Sequence, residues 1–534
     1  MSARCRHLFP PLDVSFRKLF IRGIGPALSR RSRDLGAIVE APNHAQIDAV
    51  GPPKLSWRSA AQPPGLIFLV AGLIIIAFGS GVRVGFVSDD FQWLNRAASG
   101  QLGWSQAFDV HTHFNALPLA ELLFNYEFKV FGYHASWYHL FDLAGQLLAA
   151  MLLYALALRL GFRRTEAAGA TALAAVATSA AQAVYWPAAD FHLWASVSAL
   201  AALVLYIESR QRPNRLAFIA SVAFAVASAL IKSEGIAVLF GVLAYELFWC
   251  KEPVRSWIAV RGLALRAAPF VASAALVVAW ELTATDPLRS ESRIGVNMIS
   301  RAIDYLRMIV VPDDPSLLVS QVGGIRSHHL LGWLAAAGAV TLAVWFVVSI
   351  GTAIIGRAAA GFGVLWLGAI IAALPITEGA QSRYVYLATL VTFLAAARGT
   401  GILLERLVTR VSRKRLVASA AILFAVLLLV EVAATERRSS DLRVASIEST
   451  AFRDAVLASH PGLSPNTTIY LIGSPLDSGS ARLVFADPRL RISPESLPSI
   501  TVAESVDAVR HKLPSGKAWA FQRLPSGRYV ELAL

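Results

Sequence analysis

Charge is scarce in this chain. Only 16% of its 534 residues are Asp, Glu, Lys or Arg, against about a quarter in an ordinary soluble protein. Cysteine is nearly absent. Cys5 lies in a basic stretch and Cys250 at the end of an apolar run, which excludes a disulfide framework. Residues 1–60 contain no apolar core of the signal-peptide type, and no internal repeat divides the chain. What is abundant is apolar: 56% of residues are hydrophobic, and the mean hydropathy is +0.55. Runs of about 18 or more mostly apolar residues recur, each long enough to cross the ~30 Å core of a bilayer. The fold class expected is an all-α polytopic membrane bundle.

The formal charge of +14 does not point to nucleic acid, because the basic residues fall in short loops. Spans are expected at about 65–87, 136–158, 167–185, 192–208, 215–231, 235–250, 266–284, 330–354, 360–376, 384–404 and 415–433. Alternate short loops then collect Arg159, Arg163 and Arg164, Arg210, Arg212 and Arg215, Lys251 to Arg266, and Arg406 to Arg415. The opposite set of short loops holds only Lys232 and Arg383. Lysine and arginine accumulate on the cytoplasmic side, so eleven spans with the N-terminus cytoplasmic and the C-terminus extracytoplasmic are expected. The composition suits a multi-pass protein of a bacterial inner membrane.

Three regions follow from this pattern. Residues 1–60 read as a disordered basic cytoplasmic tail. Residues 61–433 form the transmembrane domain, with long extracytoplasmic loops at 88–135 and 285–329. Residues 434–534 carry β-type runs such as "TTIYLIG" and "KAWAFQRL", which suggests a small extracytoplasmic α/β domain. In the first loop, "NALPLAELLFNYEFKVFG" reads as an interfacial helix starting near Pro118. Its apolar face comprises Leu119, Leu122, Leu123, Tyr126 and Val130. Glu121, Asn125 and Lys129 lie on another face.

Polar residues gather at the expected outer helix ends. Asp89 and Asp90 follow the first span. His111 and His113 lie in the first loop, spaced for a loop chelate. Asp190 and His192 occupy the turn "VYWPAADFHLW", Lys232 and Glu234 the turn "IKSEG", and Arg383 and Tyr384 the turn "ITEGAQSRYVY". Each has an ordinary alternative, as a solvated helix end, a cap or an interfacial anchor. Their shared location favours function. Carboxylates accept a proton from an attacking hydroxyl or hold a divalent cation, while guanidinium and ammonium groups bind phosphate.

The succession resembles the GT-C class of polyprenyl-phosphate-sugar-dependent glycosyltransferases, especially its protein O-mannosyltransferase-like branch. The resemblance rests on "SDDFQWL", on "HFNALPLAELLFNYEFKVFGYHASWYHLF", on "AQAVYWPAADFHLWASV" and on "TEGAQSRYVYLATL", in that order across about residues 65–400. It departs from the family pattern at Ala116-Leu117, where an arginine precedes Pro-Leu, and at Ala388, where a proline follows the Arg-Tyr element. The resemblance implies a GT-C-like bundle in which Asp89 or Asp90 is the catalytic base. Arg383, with Lys232, would hold the donor phosphate. Asp190 and His192 would line the acceptor or metal side, together with His111, His113, Glu234 and Tyr384.

The expected reaction is transfer of a sugar from a polyprenyl-phosphate donor to an extracytoplasmic hydroxyl of a protein, lipid or polysaccharide. A divalent cation is a candidate cofactor. The bilayer, the lipid-linked sugar and the acceptor are the expected partners, with no nucleic acid. Two rivals remain open: a transporter or lipid-carrier flippase, and a noncatalytic envelope assembly protein.

Overall fold

The computed structural model describes residues 64–109, 118–250, 256–283, 305, 308–309, 348–349, 351, 357–373, 382–408, 411–461, 467–490, 492, 497–510 and 518–532. The expected tail, His111 and His113, nearly all of the 285–329 loop and most of the 330–354 span lie outside the described residues. Nine helices position the site: α1 (Pro64–Phe78), α2 (Asp90–Ala98), α3 (Pro118–Phe131), α4 (Ala135–Arg159), α5 (Arg164–Ala175), α6 (Phe191–Gln211), α7 (Arg215–Ile231), α8 (Tyr386–Val408) and α9 (Arg413–Ser459).

Among the described residues six helices are long and apolar enough to cross a bilayer: Pro64–Arg83, Ala135–Arg159, Phe191–Gln211, Trp257–Trp280, Arg383–Val408 and Arg413–Ser459. A seventh is counted if α5 and Thr178–Tyr185, bent by 42°, form one span. The eleven expected spans are therefore not all found there. Part of the difference falls on undescribed residues. The rest reflects short helices and interruptions: α7 has 17 residues, and the apolar run at 235–250 divides into Ile236–Ala244 and a π-helical turn, Tyr245–Trp249.

The break after α5 is held by a carboxylate. Glu431 of α9 is buried and accepts hydrogen bonds from the Thr178 amide (2.9 Å) and hydroxyl (2.8 Å). The Thr435 hydroxyl donates to the Val176 carbonyl at 3.2 Å. A broken helix in lipid must have its freed backbone groups satisfied by neighbours, and α9 supplies them. Elsewhere small residues let the helices approach. Ala170 and Ala174 of α5 and Ala195, Ala199 and Ala202 of α6 are buried, consistent with packing by backbone proximity.

Beyond α1 the chain runs extended through Val84–Val87 beside α9. The Arg443 guanidinium donates to the Ser80 carbonyl at 3.2 Å. A Cβ on Gly85 would lie 2.3 Å from Ser446 Oγ, so glycine is required by this approach. His139 of α4 fastens the same segment. It is buried, with Nε2 3.0 Å from the Val84 carbonyl and Nδ1 3.1 Å from the Val184 carbonyl.

The C-terminal residues form a four-stranded sheet in the order β2-β1-β3-β4. Strands β1 (Thr468–Ile472), β2 (Ser499–Ala503) and β3 (Ala518–Arg523) are parallel neighbours, and β4 (Tyr529–Leu532) is antiparallel to β3. Thr468 stands opposite both Ser499 and Ala518. Helix α9 passes residue 433 without a break and reaches the sheet. There Phe452 packs on Phe485 and Tyr529, with ring centroids 5.7 and 5.4 Å apart. Glu448 accepts from Arg523 Nε at 2.8 Å and from the Tyr529 hydroxyl at 2.7 Å. This apolar core continues into Phe86, Phe91, Trp93, Phe124 and Tyr138. The sheet and the first loop thus share one core.

Candidate active site

Helix α2 starts at Asp90, and the residue before the acidic pair is distorted. Ser88 has φ of +43°, a region L-residues other than Asn, Asp and His rarely enter and one associated with functional sites. The two carboxylates then part company. Asp90 is fully buried. Its Oδ2 accepts from the Val87 amide and its Oδ1 from the Ala188 amide, both at 2.8 Å. Asp89 is partly exposed, and among the described residues its Oδ1 accepts only a 3.1 Å bond from the Ser88 hydroxyl. Burial raises the Asp89 carboxyl above its ordinary value, while Ser88 and the positive Arg383 pull it down and Asp477 adds to the rise. Burial raises Asp90 further, opposed by its two amide donors.

Six other residues expected from the sequence can be placed at this end, and they converge. The Arg383 guanidinium lies over the Trp186 ring at 4.4 Å and over Tyr384 at 5.2 Å. It donates to the Tyr384 hydroxyl at 3.3 Å, and its buried Nε has no hydrogen-bond partner. Lys232 Nζ lies 5.2 Å above Phe191. Among the described residues neither Arg383 nor Lys232 forms an ion pair. His192 Nδ1 is in contact with Glu234 Oε1, and the His192 ring meets Tyr384 edge-on at 5.1 Å. Both cations act electrostatically on His192. The Lys232–Glu234 turn is shaped by Gly235, where a Cβ would sit 2.3 Å from the Ala229 amide nitrogen.

Asp190 belongs to a cluster that the sequence did not reveal. Oxygens of Glu127, Asp142 and Asp190 lie within 4.8 Å of one another, and all three residues are buried. Among the described residues no donor reaches the Glu127 oxygens, Asp142 Oδ2 or Asp190 Oδ2 unless Glu127 and Asp190 share a proton, whereas Asp142 Oδ1 accepts from Trp194 Nε1 at 3.2 Å. Burial raises the Asp190 carboxyl to about 7. Burial, followed by Asp190 and Asp142, raises Glu127 strongly. Three oxygen-only ligands so close together suit a hard cation such as Mg²⁺, Mn²⁺ or Ca²⁺. Without one, burial favours the protonated form of Glu127 and Asp190.

The orientation of α3 explains how Glu127 arrives there. Pro118, Ala120, Glu121, Phe124, Asn125 and Glu127 are buried, while Tyr126 and Val130 are exposed. Glu121 pairs with Arg96 at 2.9 Å. A surface helix of a soluble protein would turn its apolar face inward. Here that face looks outward and lines a groove of about 340 Å³ with Leu119, Leu122, Leu123, Tyr126, Trp104 and Trp194.

The far ends of the spans have a different character. Arg159 pairs with Glu208 at 2.7 Å, and Glu246 is held by Arg210 at 2.6 Å and Arg266 at 2.7 Å. Glu208 and Glu246 there each hold a cation, whereas among the described residues Arg383 and Lys232 at the Asp89 end have no ion pair.

No family model matches the chain, and no curated protein matches it in sequence. Among solved structures it is similar to the Archaeoglobus fulgidus oligosaccharyltransferase tethered with an acceptor peptide, at 12% identity and a TM-score of 0.47. That alignment covers 82% of this chain and 64% of the other, so the chain spans a little under two-thirds of that enzyme's length. It is also similar to ArnT from Cupriavidus metallidurans in the apo state, at 14% identity and a TM-score of 0.44, over 87% of this chain and 93% of that one. The same protein bound to undecaprenyl phosphate aligns at 14% identity and a TM-score of 0.42, over 87% and 94%.

Proposed function

We propose that the protein transfers a sugar from a polyprenyl-phosphate carrier to a hydroxyl acceptor at the extracytoplasmic face of a membrane, with Asp89 as the base. The observation that carries this reading is the pairing of a little-engaged carboxylate with unmatched cations. Asp89 receives a single side-chain hydrogen bond and lies in the field of Arg383. Arg383 and Lys232 flank the same His192–Tyr384 contact. A phosphate held by these cations would set the anomeric carbon of its sugar beside Asp89.

In this mechanism Asp89 takes the proton of the acceptor hydroxyl as its oxygen attacks the anomeric carbon. The bond from that carbon to the phosphate oxygen breaks, and its electron pair remains on the phosphate. Arg383 and Lys232 offset the added charge, a contribution of the kind that costs roughly 10²–10³ in rate when one donor is lost. One displacement inverts the anomeric centre. Stacking on Trp186 fixes the guanidinium plane. Asp90 ties the loop carrying Asp89 to the turn carrying Trp186. A divalent cation at Glu127, Asp142 and Asp190 would supply local positive charge beneath this turn.

The groove under α3 suits the carrier's hydrocarbon chain, since its lining is mainly apolar and faces away from the protein interior. A transport reading draws on the broken span after α5. There Glu431 already accepts from the Thr178 amide and hydroxyl, so that carboxylate is engaged in holding the break.

The test compares glycolipids and glycans by mass spectrometry in strains carrying wild type, Asp89→Asn and Arg383→Gln. Loss of one sugar adduct in both variants, at normal membrane insertion, is expected. Wild-type glycans from an inserted Asp89→Asn protein overturn the proposal.

A further inference from the structure

We propose that Ser480, carried by the C-terminal sheet domain, is a positioning residue for Asp89 that acts through Ser88. This deepens the transferase reading and rests on it for the role of Asp89.

The hydrogen bonds join residues nearly four hundred positions apart. Ser480 Oγ lies 3.2 Å from Ser88 Oγ, and Ser88 Oγ lies 3.1 Å from Asp89 Oδ1. Ser480 lies in the first turn of a short helix, Ser478–Leu483, whose N-cap is Asp477. Asp477 accepts from the Ser480 amide at 2.9 Å and stands 2.7 Å from its hydroxyl. A serine hydroxyl has one proton. When Ser88 gives its proton to Asp89, the Ser88–Ser480 contact is a hydrogen bond only if Ser480 donates. Ser480 therefore selects the direction in which the Ser88 hydroxyl points. When Ser480 instead donates to Asp477, the Ser88 hydroxyl receives no hydrogen bond from it and donates more weakly to Asp89.

Two features make this arrangement specific. Ser88 carries the positive φ at the head of α2, a conformation the surroundings must impose. The approach of the domain is also fixed by a shared core, in which Ala481, Val484 and Phe485 of the domain belong with Phe86, Phe91 and Leu94 of the first loop. The charged groups facing Asp89 are Arg383 at the start of α8, Asp477 from the sheet domain and Asp90 beside it. Ser480 thus sets the balance between a neutral donor and a nearby negative charge.

The test uses full-length protein in lipid nanodiscs and needs no sugar donor. Infrared difference spectra, each taken against Asp89→Asn, follow the Asp89 carboxyl as pH is varied. Ser480→Ala should shift the Asp89 titration to higher pH, because the Ser88 hydroxyl no longer receives the hydrogen bond that strengthens its own donation to the carboxylate. Ser480→Thr should restore the wild-type curve, and Asp477→Asn should shift it to lower pH. Ser88→Ala should abolish the further effect of Ser480→Ala, the non-additivity expected of residues acting in series. An unchanged titration in folded Ser480→Ala overturns the positioning role. A shifted titration alongside wild-type glycans in Asp89→Asn leaves the positioning intact and overturns the transferase reading.

Discussion

The Ala188 amide donates a 2.8 Å hydrogen bond to Asp90 Oδ1, joining two loops 98 residues apart in sequence. The neighbouring Asp89 has no such tie to the backbone of another loop. Neighbours in sequence therefore differ in role. Asp90→Asn presents an amide donor to one of two backbone donors and should cost about 1–3 kcal/mol of stability. Asp89→Asn should leave thermal stability near wild type while lowering sugar transfer by roughly 10²–10⁴-fold. Thermal melts in detergent, read beside glycan mass spectrometry, separate the two effects. Equal destabilisation by both substitutions would contradict this division.

Arg383 offers a second contrast. Its guanidinium stacks on Trp186 while its Nε lacks a hydrogen-bond partner. Arg383→Lys keeps the charge and loses the planar fork, so it should retain only a small fraction of transfer. Arg383→Gln should lower transfer by roughly 10²–10³-fold. If the lysine variant matches wild type, charge alone suffices and stacking has no part.

The pH dependence has a definite sign. Burial holds the Asp89 carboxyl above the ordinary 3.8, so the basic form appears only above that raised value. Transfer should rise with pH through an acid limb displaced upward from the usual carboxylate range. Arg383→Gln removes a positive neighbour and should move the limb of any residual activity still higher. A limb at the ordinary value would show that another group is the base.

The buried cluster makes a prediction about stability. Glu127 and Asp190 hold their protons to higher pH in the folded protein, Asp190 to about 7, whereas unfolded carboxyls ionise near 4. Between those values the unfolded chain binds fewer protons, so stability falls as pH rises. A divalent cation would replace the protons. Mg²⁺, Mn²⁺ or Ca²⁺ should therefore raise the melting temperature at pH 8 and have little effect at pH 5, and Glu127→Gln should remove the difference. Identical melts with cation and with chelator at pH 8 would exclude a cation there.

Much of this was legible in the sequence because lipid makes polar residues conspicuous. Asp89, Asp190, Lys232 and Arg383 interrupt apolar runs, and each proves to lie at one end of the bundle. Glu127 was hidden by an ambiguity of environment. On α3 the same spacing serves a helix facing water or lipid, and only packing shows that the polar side turns inward. Asp142 and His139 sit within a long apolar helix and carry no local motif. The break after α5 falls in "AAVATSAAQA", which has neither proline nor glycine to mark it. Its cause is Glu431, distant in sequence. Ser480 was unreadable for the same reason, since a contact with Ser88 is made by folding and leaves no pattern in either segment.

Helix α9 gives the assembly a fixed rotational phase. Glu431 grips the broken span at one level, and Glu448 grips the sheet between four and five turns higher on the same unbroken rod. One inserted residue between them would rotate one grip against the other by about 100°. A seven-residue insertion nearly restores the heading but raises the sheet by roughly 10 Å, beyond the reach of a serine hydroxyl. The rod behaves as a keyed shaft, and the number of residues along it meters how far beyond the broken span the sheet meets Ser88.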